Sequence, residues 1–159
     1  MTTVLQPITL RHRPTVSRLW QLYQHDLSEF RGTKPDTRGR FKTDRLRRYL
    51  GDADRIGYLF RQGPHLAGFA LIRGIGGQPR VMGEFFVVRA ARRQRVGHEA
   101  ALAIMQRHPG TWEIAFQEDN IGAARFWRGL ASDRPYREER RLVPDKPDEP
   151  PDTWLILTP

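Results

Sequence analysis

The chain is 159 residues long and contains no cysteine, so disulfides, Cys-ligated zinc and thiol catalysis are excluded. That length suits one domain, residues 1–159, around one sizeable core, and no apolar run is long enough to span a bilayer. A formal net charge of +9, mostly arginine, asks for an anionic partner: a phosphorylated cofactor, a nucleic acid, or only water.

In chain order, Ile8 to Arg13 alternates apolar and polar residues, as a half-buried strand would. Pro14 then suits a first helical turn, and Val16, Leu19, Trp20, Tyr23, Leu27 and Phe30 recur at helical spacing. Gly32 to Gly39 reads as a polar loop. Thr43 is placed to cap a short second helix through Leu46, Tyr49 and Leu50, closed by Gly51. Ile56 to Arg61 and Leu66 to Arg73 are two strands of a hairpin, and Val81 to Val88 is a third, strongly apolar strand. A helix follows from Arg95 to His108, then a strand over Trp112, Ile114 and Phe116, and a helix from Asn120 to Leu130. Tyr136 to Val143 and Trp154 to Leu157 are the last two strands, with a Pro/Asp loop between them. The order β-α-α-β-β-β-α-β-α-β-β predicts one mixed α/β sheet with a right-handed β-α-β crossover at its centre. The lack of cysteine and of a basic-then-apolar leader fits the reducing cytoplasm.

The charge is densest between the third strand and its helix, where Arg89, Arg92, Arg93 and Arg95 crowd one turn. A helix start exposes unpaired N–H groups and a positive dipole end, and Gly97 permits close backbone approach, so an anion is favoured here. A solvated basic turn would show the same residues.

The turn Arg92-Arg93-Gln94-Arg95-Val96-Gly97 resembles the acyl-CoA motif of the GNAT N-acetyltransferase superfamily, R/Q-x-x-G-x-G/A, at Arg92 and Gly97. Arg95 stands in place of the first glycine. Asn120-Ile121-Gly122-Ala123-Ala124-Arg125-Phe126-Trp127 is similar to a second family element, an Asn opening a helix and then an aromatic pair. The order of elements matches over nearly the whole chain, and Tyr23 to Phe30 resembles a bacterial subgroup of unassigned substrate.

The resemblance implies an acyl-CoA N-acyltransferase fold: one mixed, mostly antiparallel sheet with a splayed central strand pair and flanking helices. It implies acetyl-CoA as donor, with the pantetheine arm along Phe86, Val87 and Val88. The pyrophosphate would lie on the turn of Arg92 and Arg93, over the amides from Gln94 through Arg95, Val96 and Gly97 to His98. Asn120 and Trp127 would complete the cofactor side, Asn120 equally being a helix cap. Many relatives pair as dimers.

Glu84 is the only charge in its apolar strand, on the order of 13 Å along the strand from Val88, a reach comparable to a pantetheine arm. Burial would make it a usable base for an ammonium substrate, unless it sits at a solvated face or pairs with an arginine. The family's general-acid Tyr is replaced by Trp127, leaving Tyr136 as a distant candidate. Tyr23, Asp26 and Glu29 share a helix face that the family sets beside the acceptor, and two acids with a phenol would suit a cationic amine. The five histidines show no metal-ligand spacing, so no metal is expected.

Three functions follow. The leading one is acetyl transfer to a primary amine of a small molecule or a protein. The second is a degenerate fold that binds CoA or a partner without turnover. The third is an acyltransferase acting on a tRNA-linked amine, although no stacked aromatic platform backs a simple nucleic-acid module.

Overall fold

The computed structural model describes residues 2–159. Seven strands form one sheet: β1 (Thr3–Pro7), β2 (Arg55–Gln62), β3 (His65–Arg73), β4 (Arg80–Val87), β5 (Trp112–Phe116), β6 (Tyr136–Arg141) and β7 (Asp152–Leu157). Four helices flank it: α1 (Arg13–Arg31), α2 (Asp44–Gly51), α3 (Val96–Arg107) and α4 (Ile121–Ala131). The strand order is β1-β2-β3-β4-β5-β7-β6, and the pairing is antiparallel everywhere except between β4 and β5. The element order and the mixed, mostly antiparallel sheet agree with the sequence reading.

The chain's start departs from it. The first strand is Thr3–Pro7, paired with β2, while residues 8–13 run through a short 3-10 turn into α1. The alternation at Ile8 to Arg13 is therefore not a strand. The Thr9 N–H is taken by His12 Nδ1 at 3.0 Å, a local bond that turns the backbone after it out of extended geometry, and Pro14 lies in the first turn of the helix. Thr43 occupies the N-cap position of α2, but its side chain makes no capping bond.

Each face of the sheet carries its own core. On one face α1 and α2 place Val16, Trp20, Tyr23, Leu46 and Tyr49 against Leu59, Phe69, Leu71 and Phe86. On the other, α3 and α4 pack Val96, Ile104, Trp127 and Leu130 against Phe60, Ile72, Met82 and Ile114. Residues paired across neighbouring strands share a face, so register decides which core a side chain joins. Ile72 opposes Met82, but Leu71 opposes Glu84, leaving Gly83 as an extra residue in β4. This bulge shifts the alternation by one. Without it Glu84 would point the way Met82 does, into the α3/α4 core; with it Glu84 turns to α1 and α2.

The same bulge ends the parallel pairing. β4 and β5 are joined only at Arg80–Trp112, Val81–Glu113 and Met82–Ile114. Beyond Met82 the two strands splay, and the β5 side of residues 83–87 is left open among the described residues. At the far edge Arg128 of α4 bonds Glu118 and Glu138, and Thr153 also donates to Glu118. Those bonds hold the Glu118 carboxyl down at about 2.

Candidate active site

The site begins where β4 leaves β5. Glu84 is 4 % exposed and accepts a 2.6 Å hydrogen bond from the Tyr23 hydroxyl at Oε2. Its Oε1 is bonded and ion-paired by Arg45 Nη2, from the first turn of α2. Three elements thus converge on one carboxylate, and the pairing with an arginine that the sequence left as the alternative to a free base is present. Burial first, and then the Glu84 charge, hold the Tyr23 phenol well above its ordinary range, so Tyr23 is a proton donor at neutral pH. The same two causes, in the same order, raise Tyr49, whose hydroxyl lies over Gly83. A Cβ on residue 83 would lie 1.7 Å from that oxygen, so any other residue there must displace Tyr49.

A carboxylate oxygen has two acceptor positions, so both oxygens of Glu84 retain capacity for an incoming donor. Arg45 is 46 % exposed, at the solvent side of the carboxylate, and its guanidinium also lies over the Trp20 ring. It was not singled out in the sequence, because nothing in spacing links residue 45 to residue 84.

Beyond β4 the chain makes the basic turn. Arg92 Nε donates to the Val87 carbonyl at 2.9 Å, which ties the turn to the strand end. Arg93 and Arg95 both adopt left-handed backbone, at φ +62° and +66°. That conformation is what the motif's glycine accommodates without cost, and Arg95 takes it while keeping its side chain exposed. The first intrahelical bond of α3 runs from Glu99 N–H to Arg95 O, so the N–H groups of Val96, Gly97 and His98 point out of the helix start. These amides, the exposed side chains of Arg92, Arg93, Gln94 and Arg95, and the splayed strands fit a phosphate-bearing thioester such as acetyl-CoA.

Other expected residues have different surroundings. Gly97 faces Phe126 and Val87, where a Cβ would stand 3.3 Å from both, so the missing side chain also lets the start of α3 pack closely on β4 and α4. Asn120 caps α4, accepting from Ala123 N–H at 3.1 Å. Trp127 is buried edge-on between Phe85 and Phe126, with centroids 4.9 and 4.7 Å away, and belongs to the core rather than to the open cleft. The Phe86 side chain packs on Tyr23 and Phe69, leaving only its backbone for a ligand.

On α1 the three residues expected at the acceptor part company. Tyr23 is buried on Glu84, and Glu29 is exposed. Asp26 is drawn to the basic turn, where Arg89 bonds its Oδ1 at 3.0 Å and Arg92 its Oδ2. Tyr136 lies on β6 at the sheet edge, with β5 and β7 between it and β4. The distant acid candidate is therefore not brought to Glu84.

No curated protein matches the sequence closely enough to count as a relative. Among solved structures, an acetyltransferase from Thermus thermophilus superposes with a TM-score of 0.75 at 15% identity, covering 100% of this chain and 98% of that one. The ribosomal-protein-S18-alanine N-acetyltransferase from Escherichia coli gives 0.66 at 13% identity, with 99% and 94% covered. A Bacillus subtilis acetyltransferase in complex with CoA gives 0.59 at 15% identity, with 74% and 84% covered. At such identities these likenesses establish the fold. The model of the acetyltransferase (GNAT) family matches residues 17–131, which span α1 to α4 and hold every element of the site. The chain therefore belongs to the acetyltransferase (GNAT) family.

Proposed function

We propose that the protein transfers the acetyl group of acetyl-CoA to a primary amine of a small molecule or a protein, with Glu84 as the general base. The observation that carries this reading is the placement of a buried carboxylate at the bulge where β4 parts from β5. A thioester whose phosphates rest on the Arg92–His98 turn, and whose arm follows Phe86 to Val88, would present its carbonyl near that bulge.

Acetyl-CoA supplies an activated acyl group when bound. The protein's own part is to position it, to exclude water and to take a proton from the amine. An ammonium approaching Glu84 would meet a carboxylate oriented by Tyr23 and covered by Arg45. It loses a proton to Glu84 Oε1 or Oε2, directly or through a water, and the free amine attacks the thioester carbonyl. The new N–C bond forms as the C–S bond breaks, and the electron pair leaves on sulfur as the CoA thiolate. The second proton of the attacking nitrogen passes through water to that thiolate, leaving a neutral amide and the CoA thiol. Trp127 has no hydroxyl to protonate the thiolate. Tyr23 is the proton donor next to the base, and through Glu84 it links the attacking amine to a phenolic proton.

Asp26 would act on the donor side of the site, ordering Arg89 and Arg92 toward the phosphates, while Glu29 remains as the acid open to a cationic acceptor.

A second reading, a CoA-binding protein without turnover, is favoured by the closed Arg45–Glu84 pair. Thiol release from acetyl-CoA across a panel of primary amines and amine-terminated peptides separates the two. We expect release with at least one member of the panel. Binding of acetyl-CoA without release for any amine would leave the second reading standing.

A further inference from the structure

We propose that the groove between the first half of α1 and α2 binds the phosphodiester backbone of a single-stranded nucleic acid. The groove encloses about 530 Å³ and is lined on one side by Arg13, Ser17, Arg18 and Gln21, and on the other by Arg40, Thr43 and Arg47. Leu46 and Leu50 form its floor, and no carboxylate lines it. It is distinct from the Glu84 site: none of these residues touches Glu84, which is reached by Tyr23 and Arg45 instead.

The arginines are unspent. Among the described residues, no carboxylate pairs with the side chain of Arg13, Arg18, Arg40 or Arg47, whereas nine other basic residues are so paired. Four like charges facing one concavity repel one another and are worth holding together only for a ligand with several negative charges.

The walls are held in place by named bonds. Trp20 Nε1 donates to Lys42 O at 2.9 Å; Gln21 Nε2 donates to Phe41 O at 2.9 Å, and Phe41 N–H returns a 2.7 Å bond to Gln21 Oε1. The Asp36 carboxylate accepts from the N–H groups of Arg38 and Arg40, fixing the loop that presents Arg40. The loop is thus pinned to α1, which fixes the backbone that carries Arg40.

Guanidinium forks suit phosphate oxygens. Charge also continues beyond the cavity: besides Arg40 and Arg47, residues 31–48 hold six basic residues, of which Arg45 is paired with Glu84, and two acidic ones. A small phosphate ester would use only the cavity, while a strand would use this belt as well. No aromatic ring lines the groove, so bases find no stacking surface and the recognition is of backbone, not sequence.

The test is fluorescence anisotropy of labelled twelve-residue oligo-U and oligo-dT with the full chain, with CoA at saturation so that the Arg92–Arg95 turn is occupied. Four phosphate contacts on a single strand give a log–log salt slope of about −3, a roughly 50-fold weakening between 50 and 200 mM salt. Arg18→Ala and Arg47→Ala should each lower that slope by about 0.7, and the Arg18→Glu/Arg47→Glu pair should abolish binding. Arg137→Ala, on β6, should change nothing. A retained thermal shift with acetyl-CoA shows that each variant is folded. Absence of binding at 50 mM salt would overturn the proposal, as would equal loss in Arg137→Ala. Competition by tripolyphosphate or poly-glutamate as strong as that by unlabelled oligonucleotide would overturn it too, since the ligand would then be a small phosphate or an acidic polypeptide. Because the readout is binding alone, a failure here leaves acetyl transfer untouched, and a failure of acetyl transfer leaves this site standing.

Discussion

Arg95 shows how one residue can meet two demands at once. Its backbone is left-handed, at φ +66°, where an L side chain costs on the order of 1 kcal/mol and glycine nothing. Its side chain, exposed at the start of α3, adds a cation beside the amides of Val96 to His98. The two demands separate in Arg95→Gly. That variant should melt about 2–4 °C higher by relief of the backbone, and should bind CoA several-fold more weakly by loss of a charge-assisted bond. Calorimetry with and without CoA reads both effects. Tighter binding in the variant would mean that the arginine obstructs the turn.

Gly83 plays the corresponding part within β4. It is the extra residue of the bulge, it lies under the Tyr49 hydroxyl, and it turns Glu84 to the helical face that carries Tyr23 and Arg45. In Gly83→Ala the new methyl must displace Tyr49, and with it α2. The expected loss is about 2–3 kcal/mol of stability, a fall in Tm of about 4–12 °C, together with most of the acetyltransferase activity. A Tm within 1 °C of the parent would show that α2 is not wedged against the strand.

This bulge also marks how far the sequence could be read. Period and punctuation located β2 through α4 well, since long apolar patterns between Gly/Pro breaks leave few alternatives. Alternation alone placed Glu84 in β4 but could not assign its face, because a single inserted residue reverses every side chain after it. Arg45 stayed hidden for a related reason, as its contact with Glu84 spans 39 residues. At the chain's start, a local Thr9–His12 bond outweighed an alternating pattern. The turn at Arg92 to Gly97 was legible because its chemistry is local: charge, a helix start and a required backbone conformation all lie within six residues. At Gly97 the missing side chain makes room for Phe126 and Val87, and Trp127 takes the core place that was one of its two expected roles.

Across the whole molecule, charge is divided by use. Arg89 and Arg92 are set against Asp26 at the turn after β4, Arg45 against Glu84 at the bulge, and Arg128 and Arg141 within ion pairs of the far edge. Among the described residues, no carboxylate pairs with the arginines of the groove beside α1. The sheet connects these regions, since the splay of β4 from β5 and the bulge that accompanies it fix both the open strand edge and the face on which Glu84 lies. The claim on which the account rests is that Glu84 takes the proton. The direct measurement is kcat for acetyl transfer to the amine accepted by the wild-type protein, compared with Glu84→Gln, with the thermal shift by acetyl-CoA followed in both. The account predicts a fall in kcat of at least about 100-fold, the scale of a lost general base, with the acetyl-CoA shift retained. An unchanged kcat in Glu84→Gln would contradict it.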